Sequence, residues 1–502
     1  MARYERNIDK TYESNPYYEK NGFVGKEPEI YDIPRFEEVK ERLPEPIFDG
    51  HQDHIDCYYK AWEIAFSNLK NPVEKSGFVS PFIDAAFNGC IFMWDSVFMT
   101  LFGRYAHSVF PFQKTLDNFY SCQHKDGFIC RMIDEISGLD GFTRHDPSST
   151  GPNILALSEW KYYESVGDIK RLESVYYPLR AYHLWYRKNR TWPDGSYYSS
   201  GWGCGMDNTP RHPEGYLPDF SHGHMVWVDI CLQVIINCDI LIKMNDALGK
   251  IDDVSDLLEE RKRLSELVNE KLWDEESGFL YDRWADGRLN GVKHISAFWS
   301  LLTNVLPSDR LESMLSHLTN ESEFNRATPF ASLSADHPAF RPDGGYALGS
   351  SIASTSYMCL LGLFENGFMD VANALSEKYI DTVVSVFNET GTIWENYAPD
   401  IKNHGNPAKP DFVGWSGIIP ISVLFEGVFG IIPRVNEGYI EWHINRKERH
   451  GVLKYPFGKD GFVDLISEWD EEKDEPKVTV HSNVKVKVKV IFNGKEKTVE
   501  SR

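Results

Sequence analysis

About a dozen helical segments run through this 502-residue chain, and the spacing between them alternates. The 3.6-residue period of apolar positions predicts helices near 55–68, 96–107, 112–122, 152–166, 170–188, 225–248, 254–272, 296–303, 308–317, 352–365, 369–388 and 417–429. Leu257, Leu258, Leu264, Leu267 and Val268 illustrate the period. The sequence offers capping starts at Asp253-Val254-Ser255 and Pro307-Ser308-Asp309. Gly167 and Gly427 are placed to end helices. Connections of moderate length alternate with long, glycine- and aromatic-rich ones at 89–95, 123–150, 190–224, 336–351 and 389–416. A dozen helices in pairs, with every second loop long, suits six helical hairpins closed into a ring. The expected fold is therefore mainly α, an (α/α)6 toroid with its long loops gathered at one mouth.

The two ends of the chain differ from this middle. Residues 1–50 are polar and carry Pro16, Pro28, Pro34, Pro44 and Pro46, which predicts an extended N-terminal arm. Residues 51–433 form the expected barrel. From 434 to 502 the pattern changes to period two, strictest from Val484 to Val490, and Phe492-Asn493-Gly494-Lys495 is a hairpin signal. This predicts a small C-terminal β domain whose lysine rows face water and discourage edge pairing.

Charge and composition narrow the partners. A formal net charge of -22 opposes nucleic-acid phosphates and anionic membranes. No apolar run approaches the roughly 18 residues of a membrane helix, and the N-terminus shows no signal-peptide pattern. The eight cysteines form no CxxC, and Cys231 and Cys238 lie two helical turns apart in an apolar run. We expect buried free thiols, a reducing cytoplasmic setting, no metal and no cofactor. Oligomeric state is open, and a homo-oligomer fits the arm. The 14 Trp and 25 Tyr exceed what a helical scaffold needs, and those in glycine-rich loops suit walls for sugar faces.

Two carboxylates stand in similar settings. Asp207 lies in the loop GWGCGMDNTPR over 201–211, and Glu395 in GTIWENY over 391–397. Each neighbours an amide side chain on an aromatic loop. For each there is a plain alternative: Asp207 as a turn residue, Glu395 as a helix cap or the partner of Lys402. As a pair they suggest acid/base chemistry on a sugar. Burial of Asp207 among Trp202 and Met206 would keep its carboxyl protonated, ready to give a proton to a leaving oxygen. Glu395, ionised, would activate water, with Trp394 and Tyr397 as a stacking wall. Asn208 and Arg211 would donate to sugar hydroxyls. Arg211 would oppose the rise at Asp207, so it must point at substrate or at another acid. An inverting glycosidase holds its carboxyls roughly 6.5–9.5 Å apart and a retaining one about 5–5.5 Å, a distance invisible to sequence.

Further loop residues are candidates for the pocket. Trp94 and Asp95 open a helix, Asp95 as N-cap or hydroxyl ligand. Gln123 or His124 in the turn QHKDG, Tyr346 in DGGY, and Trp415 in FVGWSG complete the set. His222 and His224 are better read as substrate contacts or solvated groups than as metal ligands, because no third ligand is near in sequence.

GMDNTPR and IWENYAPD, with DGGYALGSSIASTSYMCLLGL between them and FVGWSGIIP after, resemble the inverting α-glycosidases with (α/α)6 barrels. That group includes glycoside hydrolase family 63, with mannosylglycerate hydrolases, and more distantly the family 37 trehalases. The resemblance covers roughly 55–430. It implies that Asp207 is the general acid, Glu395 the general base, and Trp94-Asp95 part of the −1 sugar site. The chain departs where relatives carry a YWRGxxW stretch, here 346–352, and a Q-P-P, here 150–153. Both changes remove bulk beside the sugar. The C-terminal β domain has no counterpart in minimal bacterial members. The expected function is an inverting, exo-acting glycoside hydrolase on a small α-linked glycoside. The alternatives are an epimerase or polysaccharide lyase using His or Tyr for proton transfer, with His222, His224 or His145 at the centre, and a non-catalytic sugar-binding toroid.

Overall fold

The computed structural model describes residues 13–501. The first twelve residues of the expected arm lie outside the described residues. The twelve expected helical segments are all present. Six of them form an inner ring: Met93–Gly103, Leu155–Val166, Val228–Ala247, the 3₁₀ segment Ile295–Leu302, Ala353–Glu365 and the π-helical Ile419–Val428. Each contacts the next, and Ile419–Val428 returns to Met93–Gly103, closing an (α/α)6 toroid.

The sequence explains which helices lie inside. Met93–Gly103 and Ile419–Val428 are mostly apolar with no polar face, and every residue is buried, as required of a helix covered all round. An outer helix such as Ser255–Leu267 buries only Leu257, Glu260 and Leu264, a single stripe at helical spacing. The connections from inner to outer helices are short; Gly167 and Asp168 alone join Leu155–Val166 to Ile169–Asn189. Gly167 ends the first in the left-handed conformation, and the Asp168 carboxylate caps the second by accepting from the amides of Lys170 and Arg171. Gly427 ends no helix. It lies within Ile419–Val428, where the Ser376 side chain passes so close that no Cβ fits.

At the closed end of the ring, the buried Arg104 guanidinium and the Tyr105 hydroxyl both bond Glu426, and the Tyr357 hydroxyl donates to it at 2.7 Å. Arg104 and Tyr105 directly follow the first inner helix, and Tyr357 and Glu426 lie on the fifth and sixth, so these bonds tie the seam of the toroid.

The arm is stapled to the toroid. The Asn15 carboxamide donates to the carbonyls of Asp126 and Ala181, and Asn21 donates to the Tyr120 carbonyl and Gln123 Oε1. The arm also supplies strand Glu45–Phe48, which pairs antiparallel with His450–Phe457 at the edge of a four-stranded sheet completed by Gly461–Asp470 and Glu475–Ser482. A second sheet has the order Lys495–Glu500, Lys487–Phe492, Tyr439–His443, Ile431–Arg434. Its hairpin turns at Asn493 and Gly494, both with positive φ (47° and 71°), the combination a two-residue hairpin loop requires. Val486, Val488 and Val490 are buried, while Lys487 on the same strand faces water. That strand is central, however, not an edge, so its lysines protect no edge.

Candidate active site

Each outer-to-inner connection delivers its residues to the same end of the toroid. Five of the six build one cavity of about 660 Å³. Phe87, Asn88, Phe92, Trp94 and Asp95 come from the start of the first inner helix and the loop before it. Arg131, Met132, Phe142, Gly151 and Pro152 precede the second, and Trp202, Gly205 and Asp207 the third. Tyr346 precedes the fifth, and Glu395, Pro407 and Trp415 the sixth. The fourth connection lines nothing, but Trp299 from its inner helix stacks under Trp94 at 5.9 Å with the rings nearly parallel.

Asp207 is positioned by a compact turn. Gly201–Cys204 makes one helical turn capped by Ser200, whose hydroxyl accepts from the Gly203 amide. Gly205 then reverses the chain with φ +76° directly against the Trp94 ring; a Cβ there would stand 3.0 Å from the indole. Only glycine satisfies both constraints. Glu395 is held from the opposite side. Its amide donates to the Lys409 carbonyl at 2.9 Å, and its Oε2 accepts the Lys409 amide at 3.0 Å. Its carbonyl accepts from Trp415 Nε1 at 2.7 Å and the Ser416 hydroxyl at 2.9 Å. Among the described residues its carboxylate is thus held by the Lys409 amide and not by Lys402.

Among the described residues, three carboxyls and one guanidinium face the cavity, and burial is the largest influence on each. Burial pushes Asp207 up to about 7; Arg131 opposes the rise, and Asp219 and Glu395 add to it. Burial raises Asp95 to about 8, helped by the Glu395 charge. Glu395 is also raised by burial, and the Lys409 amide and ammonium pull it back. Three acids in one desolvated space cannot all ionise. Arg131 gives Nε–H to the Ser148 carbonyl at 2.6 Å and lies over the Phe142 ring at 4.6 Å and the Trp202 ring at 5.8 Å. Its burial weakens its hold on its proton.

Asp207, Glu395, Trp94, Asp95, Tyr346 and Trp415 line the cavity; the other candidates do not. Asp95 is not an N-cap, because the helix begins at Met93 and places it in the first turn. Its Oδ1 is buried with no hydrogen-bond partner among the described residues. Gln123 spends its amide on the Gly127 and Pro178 carbonyls and its oxygen on Asn21. His124 is taken by Asp140 at 2.6 Å and Arg144 at 2.7 Å. Asn208 bonds the loop around Tyr346. Arg211 is fully buried, paired with both Asp229 and Asp282 and lying over the Trp227 ring; it points at other acids, the second of the two outcomes its position allowed. Trp394 stacks on His404 at 3.8 Å and gives its Nε1–H to Thr390. The Tyr397 hydroxyl accepts the Trp394 amide from within the core. His222 and His224 pack on Trp192, outside the lining.

Sequence reasoning missed Arg131, Phe142, Phe87, Asn88 and Pro407. The available signal was Arg131 itself, a lone cation after the apolar run Phe128-Ile129-Cys130.

Residues 91–409 match the family described as mannosylglycerate hydrolase MGH1-like glycoside hydrolase domain. The chain belongs to this family. It is a glycoside hydrolase. A protein of Borreliella burgdorferi, described only as uncharacterized, is 24% identical over 79% of this chain and 83% of its own. Among solved structures, a glycoside hydrolase family 63 mannosylglycerate hydrolase from Thermus thermophilus superposes with a TM-score of 0.57 at 18% identity, over 74% of this chain and 99% of that one. A neutral trehalase from Saccharomyces cerevisiae gives 0.55 at 14%, over 73% and 79%. These structures share the toroid. Among the described residues, no helix is long and apolar enough to cross a membrane.

Proposed function

We propose that this glycoside hydrolase is inverting and exo-acting, and cleaves a small α-linked glycoside. The observation that carries the proposal is the pairing of Asp207 and Glu395 in one cavity with differently supported carboxyls. Asp207, pushed up to about 7 by burial, is the general acid and protonates the glycosidic oxygen. Glu395 is oriented by the Lys409 amide and deprotonates the water that attacks the opposite face of the sugar. A cavity of about 660 Å³ matches a small ligand and favours a pocket over a long cleft. Trp94, Trp415 and Tyr346 offer flat faces to the ring, and Asp95 offers a buried acceptor to a hydroxyl.

The proposed substrate carries an acidic aglycone. Structures similar to this one are described as mannosylglycerate hydrolase, one in complex with D-glycerate, which bears a carboxylate. Arg131 is the one cation among the described cavity-lining residues, and it forms no ion pair with another described residue. The proton-transfer alternative has less support: no histidine is among the described lining residues, and burial with the neighbouring acids Asp207, Glu395 and Asp95 holds the lining tyrosine, Tyr346, in its protonated form.

The test is proton NMR of the anomeric region during hydrolysis of α- and β-linked disaccharides and glycosyl-glycerates. Initial release of the β-anomer from an α-glycoside supports inversion. Retention of configuration in the first product, or a Glu395→Gln enzyme with near-normal turnover, would sink it.

A further inference from the structure

Lys409 stands behind Glu395, outside the catalytic cavity. It lines an adjoining pocket of about 600 Å³ between the outer helix Gln52–Ser67 and residues 409–411, together with Lys60, Glu63, Ala86 and Asp411. Its main chain nevertheless reaches the carboxylate of Glu395 through the 3.0 Å amide bond, and the two residues are also joined by the 2.9 Å bond from the Glu395 amide. The segment around it runs alongside the loop of Glu395: Trp394 bridges Pro410, and the Asn396 carboxamide donates to the Pro407 carbonyl at 3.1 Å.

The far end of Lys409 is anchored on a different loop. Its ammonium donates to the carbonyl of Ala86, a residue held at φ +58°, and sits 5.0 Å from the centre of the Phe87 ring. Phe87 lines the cavity and packs on Phe412 and Trp415. One side chain therefore ties the loop carrying the aromatic wall to the segment that holds the carboxylate of Glu395.

The charges around Glu395 explain why such an anchor matters. Asp95 from the first inner helix, Asp207 from the third connection and Tyr346 from the fifth face the same space and are all disfavoured in their anionic forms by Glu395. Arg131 opposes the shifts at Asp207 and Tyr346. Against burial, Lys409 is the cation that favours ionised Glu395, through its amide and its ammonium.

We infer that Lys409 is a positioning residue for the hydrolytic reaction, fixing the Glu395 carboxylate in place from behind the cavity wall. This rests on Glu395 being the general base. An α-glycosyl fluoride of the sugar that the enzyme accepts isolates the effect, because fluoride departs without a proton and only the base must ionise. For Lys409→Met, the acidic limb of kcat/KM on the fluoride moves to higher pH by about one unit, the scale of losing one nearby opposite charge. Lys409→Arg, which keeps the charge, leaves the limb near its wild-type position. Lys409→Gln, which keeps a donor for the Ala86 carbonyl but no charge, moves the limb in the same direction as Met and covers the case in which the Met variant does not fold. An unmoved limb in Lys409→Gln, with Glu395→Gln inactive on the fluoride, overturns the role of Lys409 alone. A Glu395→Gln enzyme active on the fluoride overturns the reading of Glu395 itself.

Discussion

Asn208 holds Tyr346. Its carboxamide gives a hydrogen bond to the Gly345 carbonyl at 2.9 Å and accepts one from the Ala347 amide at 3.0 Å, so it grips the chain on both sides of Tyr346. Tyr346 sits at φ +61°, a conformation an L-residue keeps only when neighbours impose it. The residue after the proposed acid therefore sets the position of a cavity wall from a different loop.

Asn208→Ala releases that grip. We expect kcat/KM to fall about tenfold, with a stability loss of about 1–2 kcal/mol for two side-chain-to-backbone bonds. Steady-state kinetics beside urea denaturation check this. An unchanged kcat/KM would show that Tyr346 keeps its place unaided.

Arg211 is structural in its contacts. It neutralises Asp229 and Asp282, all three fully buried. Arg211→Met leaves two buried carboxylates uncompensated and should cost about 3–5 kcal/mol. Lysine cannot reproduce the paired two-pronged contacts and should also destabilise. Equilibrium unfolding measures both. A raised KM at wild-type stability would instead return Arg211 to the role of substrate donor.

Asp95 makes stability depend on pH in an unusual direction for a carboxylate. Its folded pKa of about 8 lies above its unfolded value, so the folded state binds the proton more tightly. That contribution is complete below the unfolded pKa and is lost as pH rises through about 8. Asp207, at about 7, acts with the same sign. Asp95→Asn cannot ionise, so its stability should decline less from pH 5 to pH 9, with an advantage over wild type of about 1–3 kcal/mol at the upper end. Denaturation midpoints across pH test the slope. A wild-type curve that rises over this range would contradict the raised value.

Asp207 should matter only where the leaving group needs a proton. For an alkyl or glyceryl glycoside, Asp207→Asn should lower kcat by at least about a hundredfold, the usual scale of general-acid catalysis. For the corresponding α-glycosyl fluoride most activity should remain. Equal losses on both substrates would remove the general-acid role.

Local patterns in this chain were sufficient for the scaffold. Helical periodicity, the glycine after Val166, and Asn493-Gly494 act within a few residues, so the twelve helical segments and the last hairpin are legible before folding. The aromatic loops that carry Asp207 and Glu395 are likewise visible, since glycines and acids in short context mark unusual backbone and chemistry. What each polar side chain touches was not legible. Gln123 and Arg211 look like ligand contacts in sequence, yet Asn21 of the arm and the pair Asp229 and Asp282 consume them. Arg131 belongs to no motif in the sequence, yet the cavity closes around it between Phe142 and Trp202. The strand Glu45–Phe48 finds its partner some four hundred positions away in His450–Phe457. Periodicity is a property of neighbours along the chain. Hydrogen-bond and ion-pair partners are chosen by closure of the ring, which brings distant loops to one end, and burial there sets which carboxyl keeps its proton.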